Sequence, residues 1–189
     1  MKELVYNKTY ENKNFVDDPL AIADYEGCTF INCNFNQCNL SELNFIECDF
    51  NTCNLSMVNM YKTGLKNIRL SGCRTTGVQF EECNPFLFAI HCIECPMEFS
   101  TFVQMDLKKS TFKDSQLINV DFSEADLTGL SFDGCDLYDA IFSYSILEKS
   151  DFRNARNYTI NPESNRMRGS KHSIHQVRGL LEQYDLIIE

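Results

Sequence analysis

The side chains with chemistry to offer are ten cysteines, three histidines and twenty-seven carboxylates. Ten cysteines suggest a metal site first. A zinc tetrad needs four ligands converging on one ion, usually from paired C-x-x-C or H-x-x-x-H spacings. Here Cys28, Cys33, Cys38, Cys48, Cys53, Cys73 and Cys83 fall instead at multiples of five. His172-x-x-His175 would set two imidazoles on one helical turn, with no third ligand nearby in sequence. Acid–base catalysis needs paired groups in a cleft, whereas the aspartates recur at fixed intervals. No G-x-G-x-x-G or Walker loop offers a phosphate cradle. The expectation is a non-enzymatic chain with no catalytic residues, no metal and no cofactor.

Those intervals belong to a repeat. Stepping by five from Phe15 to Phe80 meets fourteen positions, of which thirteen are large and apolar, Thr75 being the exception. A second series, Phe102, Leu107, Phe112, Leu117, Phe122, Leu127, Phe132, Leu137, Phe142, Leu147 and Phe152, has no exception and alternates Phe with Leu. At the overall apolar frequency of 43 %, such a run arises by chance roughly once in 10⁴ trials, the counting that periodicity arguments require. A period of five suits neither helix nor strand. It suits a chain that bends at every repeat and sends each fifth side chain toward one axis. Two residues earlier stands a small or medium side chain, including most cysteines and Ser100, Ser110, Ser115, Ser145 and Ser150. The cysteines are expected to pack there as small, free, buried hydrophobes, Cys33, Cys53 and Cys73 forming a column. The residue just before each large one is usually Asn or Asp, which suits turns.

The unit small–Asp/Asn–Leu/Phe–x–x, as in Ala125-Asp126-Leu127-Thr128-Gly129 and Cys38-Asn39-Leu40-Ser41-Glu42, resembles the pentapeptide repeat over about residues 15–157. The resemblance implies an all-β fold, a right-handed quadrilateral β-helix of four repeats per coil. Coils would stack about 4.8 Å apart, Phe102 over Phe122 over Phe142 on one wall and Phe112 over Phe132 over Phe152 on the opposite one. Residues 1–14 would cap the first coil. The phase shifts by two residues between Phe80 and Phe102, which places a register break within 81–101; Ile90 and Cys95 continue the first phase, and Leu87, Cys92 and Met97 fit the second.

Residues 158–189 leave the pattern. Ser173 and Gln176 form a capping box before Ile174, Val177, Leu180, Leu181 and Tyr184, whose spacing predicts an amphipathic α-helix over about 173–184. Leu186, Ile187 and Ile188 follow as an apolar tail. An open coil end must be covered, and this extension is expected to cap the last coil and join a homodimer.

The net charge is −10 and the sequence pI about 4.8, against direct binding of nucleic acid or anionic lipid. Residues 158–189 balance four acidic against four basic side chains, so 1–157 carries the excess. The longest apolar run, Phe86 to Ile90, cannot span a membrane. The opening MKELVYNKTYENKN has no apolar h-region, and the expected compartment is the cytoplasm. The ending Ile160-Asn161-Pro162-Glu163-Ser164-Asn165-Arg166, with helix and tail, is similar to that of microcin-immunity and Qnr-type pentapeptide proteins. That resemblance implies a dimeric acidic rod imitating duplex DNA, bound to DNA gyrase or topoisomerase IV and relieving poisoning by quinolones. Asp106, Asp121, Glu124, Asp126, Asp133, Asp136, Asp139 and Asp151 would then stand in for phosphates. The competing expectation is a scaffold for another basic protein or regulatory complex.

Overall fold

The structure, a computed structural model, describes residues 2–187; Ile188 of the proposed tail lies outside them. The chain winds as a parallel β-solenoid with four walls. The first wall holds β1 (Glu3–Tyr6), β3 (Ala23–Glu26), β5 (Asn44–Ile46) and β7 (Gly64–Lys66), paired in parallel with a register of 20 residues, as in Tyr25 opposite Phe45. The second holds β2 (Thr9–Glu11), β4 (Thr29–Ile31), β6 (Asp49–Asn51), β8 (Ile68–Ser71), β9 (Ile90–Ile93) and β10 (Thr111–Lys113). Single parallel bridges build the other two, Asn14–Asn34–Asn54–Arg74 and Gln116–Asp136–Arg156 on the third, and Asn39–Asn59 and Gln79–Thr101–Asp121–Ile141 on the fourth.

Each fifth side chain fills the bore. Phe30, Phe45, Phe102, Phe122 and Phe132 are fully buried. Rings one coil apart stack, with centroids 4.6 Å apart for Phe30–Phe50, 5.4 Å for Phe102–Phe122 and 4.8 Å for Phe132–Phe152. Rings on neighbouring walls meet edge to face, as Phe122 and Phe132 do at 5.9 Å. Both are favoured aromatic geometries. The corners require a left-handed residue, supplied by Asn12, Asn32, Asn67, Gly72 and Gly129 and, less comfortably, by Met57, Phe99 and Tyr144. Asn and Gly adopt that conformation most cheaply.

The small inward position does more than pack. At this position in each of several columns a hydroxyl or thiol donates to the carbonyl of a large inward residue one coil back: Thr63 to Leu40 at 2.8 Å, Cys73 to Phe50 at 3.2 Å, Ser145 to Phe122 at 2.8 Å and Ser150 to Leu127 at 2.7 Å. The same atom can accept from the preceding coil, as Cys73 Sγ does from the Cys53 N–H (3.3 Å) and Ser115 Oγ from the Cys95 N–H (3.1 Å). Buried backbone groups that no ladder satisfies are thereby paired. This explains why Cys, Ser and Thr recur where Ala would fit by size. At the end of one of these columns Asn165 performs both functions, its Oδ1 accepting the Ser145 N–H (2.8 Å) and its Nδ2 donating to the Phe142 carbonyl (2.6 Å).

Three expectations are corrected. Residues 3–6 and 9–11 are strands of the solenoid rather than a separate cap, because Val5 and Tyr10 already keep the inward phase of five and pack against the core. At the register break Leu87 turns outward, and Phe88 is buried in its stead. Asn84 still pairs with Gly64, 20 residues back, but Ile90 pairs with Ile68, 22 back, so two extra residues lie in the corner at Pro85–Ala89. Ile90 and Cys95 take the small inward positions of the second phase, with Cys92 and Met97 as its large ones.

Third, the segment 173–184 forms two short 3-10 turns, Val177–Leu180 and Glu182–Tyr184, and no α-helix. The reason lies at Gly179. Its carbonyl accepts the Ile160 N–H at 3.0 Å, and a Cβ there would stand 1.9 Å from the Tyr158 carbonyl oxygen. That hydrogen bond to the last coil thus captures a backbone carbonyl that a helix would use. Ser173 Oγ accepts from the His175 N–H in place of the expected box. Leu180 packs against the core, so the segment does cover the coil end.

Candidate partner-binding surface

Side chains that could act on a partner must point outward, which leaves the position before each large residue and the two corner positions. The Asx residues of the first kind are partly occupied by their own turns. Asp106, Asp121, Asp126, Asp136 and Asp151 each accept the N–H two residues on, at 3.1, 2.8, 3.1, 3.2 and 3.1 Å. This is the Asx turn, and it ties one carboxylate oxygen to the corner.

The eight carboxylates anticipated as phosphate mimics do not share one surface. Asp106 and Asp126 lie on the first wall, Asp151 on the second, Asp136 on the third and Asp121 on the fourth. Asp133 stands at the corner between second and third walls, with Asn154 donating to it at 2.7 Å. Glu124 and Asp139 flank the fourth wall on its two edges. The structure therefore groups Asp121, Glu124 and Asp139 and separates the other five from them, because successive repeats face successive walls.

Cations divide the rod as well. Lys108 Nζ lies 3.0 Å from both Asp106 and Asp126, Arg153 lies 2.7 Å from Asp151, Arg166 lies 2.7 Å from Glu148, and Arg69 pairs with Asp49. All these pairs belong to the first and second walls and their edges. Arg153 pulls the Asp151 carboxyl down to about 2. Burial pushes Asp126 up, but the Thr128 hydroxyl and Lys108 outweigh it and hold it below its ordinary value. As exposed pairs they add little stability; their effect is to neutralise these two walls.

The fourth wall differs. Asp121 stands at its centre, Glu98 and Asp139 on one edge, and Glu42, Glu81, Glu82 and Glu124 on the other. From Asn39 to Tyr144 Lys62 is its one cation among the described residues, while Lys2 reaches in from the first coil to the Glu42 carbonyl. Its carboxylates are held by neutral donors: Thr101 to Glu81 at 2.6 Å, Thr76 to Glu98 at 3.0 Å and Gln104 to Glu124 at 2.9 Å. Beside them Met57, Tyr61, Phe99, Tyr138, Ile141 and Tyr144 are exposed, Tyr144 by 74 %. All but Ile141 sit at corner positions, outside the inward period of five, which is why sequence reading missed them; the period of twenty assigns them to one wall and its edges.

The remaining chemistry is structural. All ten cysteines are free, and nine are buried. Burial pushes the Cys48 and Cys135 thiols up to about 12, far from the thiolate that reacts or binds metal. Among the described residues no three His, Cys, Asp or Glu side chains gather as a metal set. No described helix is long and apolar enough to cross a membrane. His91 lies between Asn67 and Thr111, each at 3.1 Å.

His172 stacks on Phe152 at 5.3 Å and meets the Tyr158 hydroxyl at 3.1 Å and Ser170 at 2.9 Å, while His175 is exposed. Burial holds the His172 imidazole below its ordinary value, against a smaller upward pull from Asp151. A folded-state value below the unfolded one means that unfolding takes up protons as the solution acidifies. The cap therefore keeps full stability above about pH 6.5, the unfolded imidazole value, and loses it as pH falls below that. Hydrogen exchange at residues 170–180, corrected for the chemical rate, should speed up between pH 7.5 and pH 5; unchanged protection would contradict the placement of His172.

Of the dimer candidates, Leu180 packs against the core, Val177 and Leu181 are half-buried, and Ile174, Tyr184, Leu186 and Ile187 are exposed. Tyr184 donates to Glu163 at 2.7 Å.

No curated protein matches the chain. Among solved structures, two trypsin-treated forms of QnrB1, a plasmid-mediated fluoroquinolone resistance protein, align with TM-scores of 0.59 and 0.56 at 17 % and 16 % identity. The first alignment covers 99 % of each chain, the second 98 % of this chain and 100 % of that one. HetL, involved in heterocyst differentiation regulation in the cyanobacterium Nostoc sp. strain PCC 7120, aligns with a TM-score of 0.52 at 13 % identity over 92 % of this chain and 87 % of its own. At these identities the likeness is one of fold. The pentapeptide repeats family matches in eight copies over residues 23–62 and 121–156. With a register of 20 residues, four walls and an inward side chain every fifth residue, the chain carries pentapeptide repeats and folds as the β-helix of pentapeptide repeat structures.

Proposed function

We propose that this rod is a non-catalytic binding protein whose acidic surface occupies the DNA-binding surface of a type II topoisomerase, DNA gyrase or topoisomerase IV, and shields the enzyme from quinolone-type inhibitors. The observation that carries the reading is a net charge of −10 displayed on a rigid stack of coils whose acidic side chains repeat at the coil spacing. Long-range attraction to a cationic groove sums over many such charges. The fluoroquinolone resistance role of QnrB1 supports it by fold likeness. A homodimer joined through Ile174, Tyr184, Leu186 and Ile187, in the cytoplasm, would double the length of the rod.

A second reading is a scaffold for a different basic protein. It is favoured by the dispersal of the anticipated carboxylates over four walls and by the neutralisation of Asp106, Asp126 and Asp151. Gyrase supercoiling with and without a fluoroquinolone separates the two. Inhibition or drug protection at micromolar rod is expected; neither effect would favour the scaffold. Replacing Ile174 and Ile187 with Asp is expected to give a monomer by light scattering, and an unchanged dimer mass would remove the tail as the joint.

A further inference from the structure

We infer that the fourth wall, with its two edges, is the face on which this rod docks its protein partner, and that the partner presents a cationic surface interspersed with apolar side chains. The inference rests on the reading of the rod as a binding protein and adds which side of it binds.

Three independent features converge on this wall. The first is uncompensated charge. The ion pairs found among the described residues lie on the first and second walls and their edges; Glu98, Asp121, Glu124 and Asp139 join none of them, although Arg178 lines the same groove as Asp139 at the capped end. Along the wall and its two edges seven carboxylates, Glu42, Glu81, Glu82, Glu98, Asp121, Glu124 and Asp139, stand against Lys62, with Lys2 and Arg178 at the two ends. The second is apolar exposure. Phe99 is 62 % and Tyr144 74 % exposed, and both hold left-handed backbone conformations, with φ of 60° and 59°. A bulky residue in that conformation carries a backbone cost. At the same kind of corner Asn32, Gly72, Asn119 and Gly134 show how readily the fold accepts cheaper residues. Large aromatic side chains, placed singly along an acidic face, are the residues that anchor protein interfaces.

The third is relief. Grooves of about 490 Å³ beside Met57, Tyr61 and Glu82, about 360 Å³ beside Val16, Pro19 and Asn39, and about 410 Å³ beside Tyr138 and Asp139 open on this wall or its edges. A further groove of about 630 Å³ crosses the first wall, from Glu81 and Gln104 on the fourth wall's edge past Asp106 to Pro85 and Phe88. Concavities beside exposed rings give a partner's side chains somewhere to insert.

Charge complementarity selects the occupant. Phosphate backbones and anionic membranes are repelled by carboxylates that no cation offsets. A second copy placed face to face would set like charges against each other. A basic protein surface satisfies the carboxylates, and its apolar side chains cover the rings.

The test uses the full chain and two variant sets with equal loss of charge. In one, E98Q, D121N, E124Q and D139N neutralise the fourth wall while keeping the hydrogen-bonding shape of each side chain. In the other, E26Q, E47Q, E94Q and D114N do the same on the edges of the second wall. One probe is a designed amphipathic peptide of Lys and Leu, with binding followed by fluorescence anisotropy and contact sites located by carbodiimide cross-linking. The other is DNA gyrase. With melting temperatures matched, the fourth-wall set should weaken peptide binding at least tenfold and the second-wall set less than threefold, with cross-links concentrated at Glu81, Glu98, Asp121 and Glu124. Adding Y144S should weaken binding further without altering net charge. Equal losses in both sets, cross-links spread evenly round the rod, or no peptide binding at low salt would overturn the inference. If the wild-type rod ignores gyrase, the topoisomerase reading falls and the peptide arm alone decides the face. If it binds gyrase and the fourth-wall set binds as well as wild type, the face is wrong while that reading stands.

Discussion

Replacing Phe132 with Ala should lower stability by about 3–5 kcal/mol, the range for large-to-small aromatic changes in a close-packed core. Phe132 is fully buried, stacked between Phe112 at 6.3 Å and Phe152 at 4.8 Å, and met edge-on by Phe122 and Phe142 at 5.9 and 6.0 Å. Four ring contacts vanish together, and the coils above and below cannot close the gap, because their own hydrogen bonds fix the spacing between them. The loss should stand at the upper part of the range. Tyr144→Ala, at a corner and 74 % exposed, is the matched control and should change stability by no more than about 0.5 kcal/mol, as surface changes do. Equal losses from denaturant unfolding would mean that the column does not run through the bore.

Gly179→Ala gives the second large effect, and its sign separates two structures. In an α-helix over 173–184, Ala for Gly would stabilise by about 1 kcal/mol. In the 3-10 arrangement the new Cβ would collide with the Tyr158 carbonyl at 1.9 Å, a backbone atom that cannot swing aside. The Ile160 N–H, on a residue only 1 % exposed, would lose its acceptor and Leu180 its seat on the core. An orphaned buried N–H costs about 1–3 kcal/mol, and lost apolar burial adds to it. Protection of the Ile160 amide against exchange should fall by at least tenfold while Phe102 and Phe122 keep theirs. Gained protection would restore the helix.

The solenoid was legible in the sequence because its core obeys a short, unbroken rule. Phe102 through Phe152 needed only counting, and the register break was visible as a change of phase. What escaped had a physical cause each time. Val5 and Tyr10 keep the phase, but Glu3 and Lys8 stand where later repeats put a small inward residue, and Leu4 and Thr9 where they put Asn or Asp. Leu87 lost to Phe88 because a two-residue insertion re-aims every side chain within it. The helical spacing of Ile174, Val177 and Leu180 was real as a pattern, yet local preference yielded to the coil edge, where the Ile160 N–H needed an acceptor. The hydrogen-bonding role of Cys73 and Ser145 was hidden because residue size alone explained their placement.

The candidate surface was less legible. Asp106, Asp121, Asp136 and Asp151 look equivalent along the chain, but the fold sends them to four walls and gives two of them a cation. Phe99 and Tyr144 carry no periodic signal at five. Only when positions are aligned by coil do their exposure and the missing cations coincide.

The most direct test of the account is the affinity of the rod for purified gyrase, measured by calorimetry across a range of salt concentrations with duplex DNA as competitor. The account predicts saturable binding that weakens steeply as salt rises and is displaced by the duplex, since both ligands would seek the same cationic groove. Binding that ignores salt and coexists with DNA, or no binding at micromolar concentrations, would contradict it.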